Sequence, residues 1–123
     1  MPAYRDRLRR LTISDGRYLE EVMGGRERAA DALPHSDLEP STRALVRVAA
    51  LVALDGPSSA FDGAVTSALA AGASADDIVD ALMAVGPTVG SALLVSAAPK
   101  VAMALGYDVG ADLELLDPEP YRT

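Results

Sequence analysis

The chain has 123 residues, half of them hydrophobic but only five aromatic, with no cysteine, one histidine and a net charge of −7. That is enough for one domain, residues 1–123, with a core of Ala, Val and Leu. The charge argues against nucleic acid and anionic membranes as partners; the missing thiols exclude disulfides and thiol redox chemistry, and the lone histidine excludes a multi-His metal site within one chain. No metal and no cofactor is expected, although an all-carboxylate site stays formally open. So much apolar surface on so short a chain predicts a homo-oligomer.

Residues 1–37 read as N-terminal helices. Residues 1–11 carry Arg5, Arg7, Arg9 and Arg10 against Asp6, with Tyr4, Leu8 and Leu11 on one face at helical spacing. The arginines are either a solvated face or a docking arm for an acidic surface, such as the tail bearing Asp108, Asp112, Glu114, Asp117 and Glu119. No apolar run follows them, so no signal peptide is expected. The longest unbroken apolar stretch, residues 48–54, is far below the roughly 20 residues that span a bilayer. The expected location is the cytoplasm. Ser14 or Asp15 can cap a second helix near Gly16 with Tyr18, Val22 and Met23 on its apolar side. Gly24-Gly25 ends it, residues 26–33 can form another helical piece, and residues 34–37 read as a loop containing His35.

Residues 38–105 form the expected core. Pro40 is tolerated in the first turn of a helix that is apolar from Ala44 to Leu54 except for Arg47, and that is expected to be buried nearly all round. A Gly56-Pro57 bend leads to a helix with a Phe61, Val65, Leu69 stripe and Ser59, Asp62 and Thr66 opposite, closed by Gly72. Ser74 with Asp76 and Asp77 marks the next start, Ile78, Leu82 and Val85 face inward, and Gly86-Pro87 is expected to break that helix. A last helix over residues 90–105 should kink at Pro99 and end at Gly106, followed by the acidic tail, residues 106–123. No period-2 alternation appears. The fold class is all-α, a compact bundle of about six helices.

Two stretches carry a resemblance. LEPSTRALVRVAALVALDG (residues 38–56) and ALAAGASADDIVDALMAVG (residues 68–86) resemble the carboxymuconolactone decarboxylase family, which includes the alkylhydroperoxidase D-type proteins. Its pattern is an L-[DE]-P-x-[ST]-R-x-L-V start, a G-C-x-x-C-x-x-x-H bend and an A-L-x-A-G-x-[ST]-x-[DE]-[DE]-I run. The resemblance implies an alkylhydroperoxidase D-like helical bundle that assembles as a homotrimer or homohexamer. Counting back from ALAAG, the family's two cysteines fall at Pro57 and Ala60, its histidine at Ala64 and its relay glutamate at Ala44 or Leu45. None of the four is present. Peroxide chemistry needs a thiolate and a resolving thiol, so thiol peroxidase activity is excluded. The decarboxylase branch does not use the cysteines, but its histidine position is also Ala64.

What remains for chemistry is sparse. Asp62 is the candidate catalytic residue: burial beside Phe61 and Val65 would make it an acid or base, and exposure would leave it an ordinary polar-face residue. Arg43 and Arg47, four apart, are the candidate carboxylate-binding residues, with an internal or intersubunit acid as the alternative partner. Ser58 and Ser59 can donate hydrogen bonds into a pocket or cap a helix. Lys100, the only lysine, is either a Schiff-base amine or an interface lysine with its head in water. Two functions follow. One is a cofactor-free family member that binds or transforms a small carboxylated metabolite by lactone decarboxylation or isomerisation, with Asp62 moving the proton. The other is a non-catalytic oligomeric binding or scaffold module.

Overall fold

The structure, a computed structural model, describes residues 3–23 and 37–107, which contain six α-helices and, among the described residues, no strand. They are α1 (Ala3–Thr12), α2 (Gly16–Met23), α3 (Pro40–Ala53), α4 (Ser58–Ala70), α5 (Ala75–Val89) and α6 (Ser91–Ala104). The expected helical piece over residues 26–33, His35 and the acidic tail lie outside the described residues. No helix among the described residues is long and apolar enough to cross a membrane. The chain divides into two units, Met1–Glu39 and Pro40–Thr123.

In the first unit, Ser14 adopts φ 57° as α1 ends, and Asp15 rather than Ser14 caps α2, its Oδ1 accepting from the Tyr18 N–H at 3.2 Å. The Arg10 guanidinium lies 5.5 Å from the Tyr18 ring centre, and Arg7 pairs with Asp37 at 3.7 Å. Tyr4, Leu8 and Leu11 share a face of α1 as their spacing predicts, and all three are exposed.

The second unit has a dry interior built from small side chains. Val48, Val52, Phe61, Ala64, Val65, Ala68 and Ile78 have no solvent contact, and Ala44, Leu82, Ala97 and Val101 have almost none. Along α3 the buried residues are Ala44, Val48 and Val52, one stripe at fourfold spacing, whereas Val46, Arg47 and Leu54 are exposed. The expectation of burial all round is therefore corrected: α4, α5 and α6 cover α3 from one side only. On α4 the stripe turns from Phe61 and Val65 to Ala68 rather than Leu69, because 3.6 residues per turn drift away from a strict fourfold repeat.

Helix ends follow the turn chemistry. Ser74 and Asp77 exchange reciprocal side-chain bonds with each other's backbone N–H, at 3.0 and 2.9 Å, to start α5. Gly72 (φ 101°) and Gly106 (φ 78°) close α4 and α6 in the left-handed conformation. The Gly86-Pro87 pair does not break α5, which continues to Val89. Pro87 forfeits a single donor, while Gly86 is buried so closely under Leu94 that an added Cβ would sit 3.0 Å from its Cδ2. The true corner is Gly90, one residue linking α5 to α6 at φ 94°, ψ 163°. Pro99 stands inside α6 as expected.

Candidate functional site

Among the described residues of the second unit, the α3–α4 bend gathers the side-chain hydrogen bonds that link separate helices. Helix α3 ends with the Gly56 N–H donating to the Leu51 carbonyl (2.9 Å) and the Asp55 N–H to the Val52 carbonyl (3.2 Å). This closure requires a left-handed residue at position 55, where glycine is usual, yet Asp55 takes it at φ 52°. Its side chain explains the choice. Asp55 Oδ1 accepts from Ser96 Oγ at 2.7 Å and from Lys100 Nζ at 3.3 Å, and Lys100 also donates to the Gly56 carbonyl at 2.8 Å. The same ammonium stands 5.9 Å from the centre of the Phe61 ring. Ser96 and Lys100, one turn apart on α6, thus clamp that helix to the bend. Lys100 is therefore held by partners within its own chain rather than being a free amine.

The Ser96 hydrogen bond first, then the Lys100 bond and charge, hold the Asp55 carboxyl below its ordinary value of 3.8. A carboxyl lowered in the folded state adds stability above its unfolded value, and that stability is lost as pH falls through the folded value. Lys100→Met is expected to cost about 1–2 kcal/mol, mostly through the Gly56 carbonyl losing its charged donor. The acid limb of its stability curve should also be shallower than that of the wild type. Urea titrations between pH 2.5 and 7 read both effects; an unchanged midpoint at neutral pH would show that the clamp contributes nothing.

The sequence-derived candidates do not form one constellation. Asp62, Ser58 and Ser59 are exposed on α4, so the burial that was to make Asp62 an acid or base is not met. Arg43 is half-buried and Arg47 exposed. The Arg47 guanidinium reaches across to α4, where Nη2 lies 3.9 Å from where a Cβ on Gly63 would stand, so it lies beside the residue that follows Asp62. Arg43 is ten residues before the end of α3, about 15 Å along its axis from the bend where Ser58 and Ser59 sit. The structure therefore brings Arg47 to the Asp62–Gly63 step, about one turn of α4 after Ser58 and Ser59, and leaves Arg43 farther from the bend. Among the described residues no three Asp, Glu or His side chains gather as a metal site.

At the positions where the resemblance puts thiols and histidine, Pro57 is the N-cap of α4, Ala60 is half-buried and Ala64 is sealed in the core. A separate apolar groove of about 520 Å³ runs between α5 and α6, away from all five candidates. Sequence reasoning missed the clamp because its partners are 41 and 45 residues apart. The available signal was the Ser96-x-x-x-Lys100 spacing on one helical face.

The carboxymuconolactone decarboxylase family model matches residues 20–102, about two thirds of the chain. No curated protein and no solved structure matches it.

Proposed function

The chain belongs to the carboxymuconolactone decarboxylase family, and from that premise we propose that it is a homo-oligomeric, cytoplasmic binding protein for a small carboxylated metabolite, without thiol chemistry. The observation that carries this reading is Arg47. Arg47 is exposed, has no ion-pair partner among the described residues, and its guanidinium lies beside Gly63, at ordinary contact distance from where a Cβ would stand. A planar fork in that setting suits a carboxylate held by two parallel hydrogen bonds. Arg43, one turn earlier on α3, adds a second positive charge to the same helix. In a catalytic version Asp62, beside Gly63, would move the proton in lactone decarboxylation or isomerisation. Trimeric or hexameric assembly is supported by the apolar side chains left uncovered on a single chain, Leu54 at 77% and Met103 at 70% exposure among them.

A thermal-shift screen against small carboxylates, lactones and hydroxy acids tests the reading. A ligand at 100 times Kd adds about 2.7 kcal/mol to the native state, which raises the melting temperature. A hit is expected that disappears in Arg47→Ala; if Asp62→Ala keeps the binding but loses turnover, the catalytic version stands. A screen without hits favours the scaffold module. One observation speaks for that second reading: Phe61, Ala64 and Val65 pack without solvent where the family places its histidine.

A further inference from the structure

The groove between α5 and α6 is apolar on both sides. On one side it is formed by Ala75, Val79 and Leu82 of α5, and on the other by Ala98, Val101 and Ala102 of α6 with residues 105–107 that follow it. The α5 wall advances seven residues, about 10.5 Å along its helix axis. The uncovered stripe on α1, Tyr4, Leu8 and Leu11, also advances seven residues, and follows the same i, i+4, i+7 order as Ala75, Val79 and Leu82. Tyr4, Leu8 and Leu11 are 57%, 58% and 45% exposed, and Val79 is 44% exposed at the groove. An apolar helix stripe and an apolar groove of matching length therefore both face water in a single chain.

Charge matches as well as length. On α5, Asp76 and Asp80 each follow a groove residue by one position, so they flank the groove on its outer side. On α1, Arg5 and Arg9 each follow a stripe residue by one position and flank it in the same sense. When two helices pack antiparallel, their like flanks face each other, as the g and e positions do in antiparallel coiled coils. An α1 laid antiparallel to α5 thus sets Arg5 and Arg9 against Asp76 and Asp80. Both aspartates are exposed and have no ion-pair partner among the described residues. The existing contacts of the arginines are weak surface ones: Arg9 to Asp6 at 3.6 Å, and Arg5 to the Tyr4 hydroxyl at 3.3 Å.

We propose that α1 is an exchange arm: the Tyr4–Leu8–Leu11 face of one chain docks antiparallel to α5 in the α5–α6 groove of a second copy. The second copy is the occupant because one sequence supplies both halves, a helix carrying four arginines against one aspartate on a chain whose net charge is −7. The recognition mode is an amphipathic helix in a groove, with three anchors giving affinity and the charge pairs fixing direction. The proposal rests on the homo-oligomer reading above and names its contact.

The absence of cysteine makes the test direct. Leu8→Cys and Val79→Cys are placed on two differently tagged chains, which are mixed and oxidised mildly. Both sites are exposed, and unchanged melting temperatures confirm that neither substitution disturbs the fold. A mixed disulfide between the two tags is expected, in excess of either homodisulfide. Its yield should fall severalfold when Arg5→Glu and Arg9→Glu are added to the first chain, and return when Asp76→Lys and Asp80→Lys are added to the second. No mixed disulfide, a yield indifferent to the charge reversals, or closure within one chain carrying both cysteines overturns the proposal. Light scattering separates the two failures. A monomeric wild type sinks the oligomer and the arm together, whereas an oligomer whose Leu8→Cys and Val79→Cys chains do not cross-link sinks the arm alone.

Discussion

Phe61→Ala is expected to destabilise the protein by about 3–5 kcal/mol, the largest effect of any single truncation in the second unit. Phe61 is the chain's only phenylalanine and the largest fully buried side chain among the described residues. It shares one buried cluster with Val48, Val52, Ala64, Val65 and Ala68, a core too rich in alanine and valine to close over the gap. Loss of the ring also removes the surface over which the Lys100 ammonium sits, so the clamp on the bend loosens with the core. A urea or guanidinium titration should show the midpoint moving down with the slope unchanged, since the surface exposed on unfolding hardly alters. A loss below 1 kcal/mol would mean that the bend collapses into the space, and that the packing around it is softer than a dry interior allows.

The second large effect is expected at Gly90. A single residue turns the chain from α5 into α6, with backbone angles that only glycine adopts without strain. Nothing lies within 4 Å of a Cβ added there, so the cost of Gly90→Ala is purely conformational, about 1–3 kcal/mol. Gly16 offers an internal control, being helical, with no positive φ and equally open space. Gly16→Ala should be neutral or slightly stabilising, because alanine is the better helix former. Melting temperatures of the two variants measured side by side isolate the backbone term. Equal values would show that the α5–α6 corner relaxes into an ordinary conformation.

How far the residues announce the fold depends on the range of the interaction that decides each feature. The capping pair at Ser74 and Asp77, the closing glycines Gly72 and Gly106, and the tolerated Pro40 are decided within four residues, and all are legible. Gly86-Pro87 misleads because its local signal says stop, while α5 runs on to Val89 with Gly86 packed close under Leu94 of the following helix. The exposed side of α3 misleads in the other direction. Val46 and Leu54 read as core residues, but a single chain has too few helices to cover them. The candidate site is the least legible. Arg47 and Asp62 are chosen by residue type and position along their helices, and only the folded chain puts the guanidinium beside Gly63. The Asp55–Ser96–Lys100 clamp has no local signature beyond the spacing of its two α6 members.

The sealing of Ala64 bears on the history of the lineage. A helix packed through alanines has nothing left to trim, so drift at Ala44, Ala64, Ala68 and Ala97 is confined to residues as small as those already present. Each of them is already buried to 3% exposure or less. Restoring an imidazole at Ala64 would push a ring into space that neighbouring side chains now fill, a cost typically of about 1–3 kcal/mol before the ring's nitrogens find any partner. The two thiols would have to return as well, one of them at the proline that caps α4. Every intermediate step would be less stable and still without thiol chemistry. The packing therefore acts as a ratchet, leaving the outer faces of the helices as the ground on which a new function could be selected.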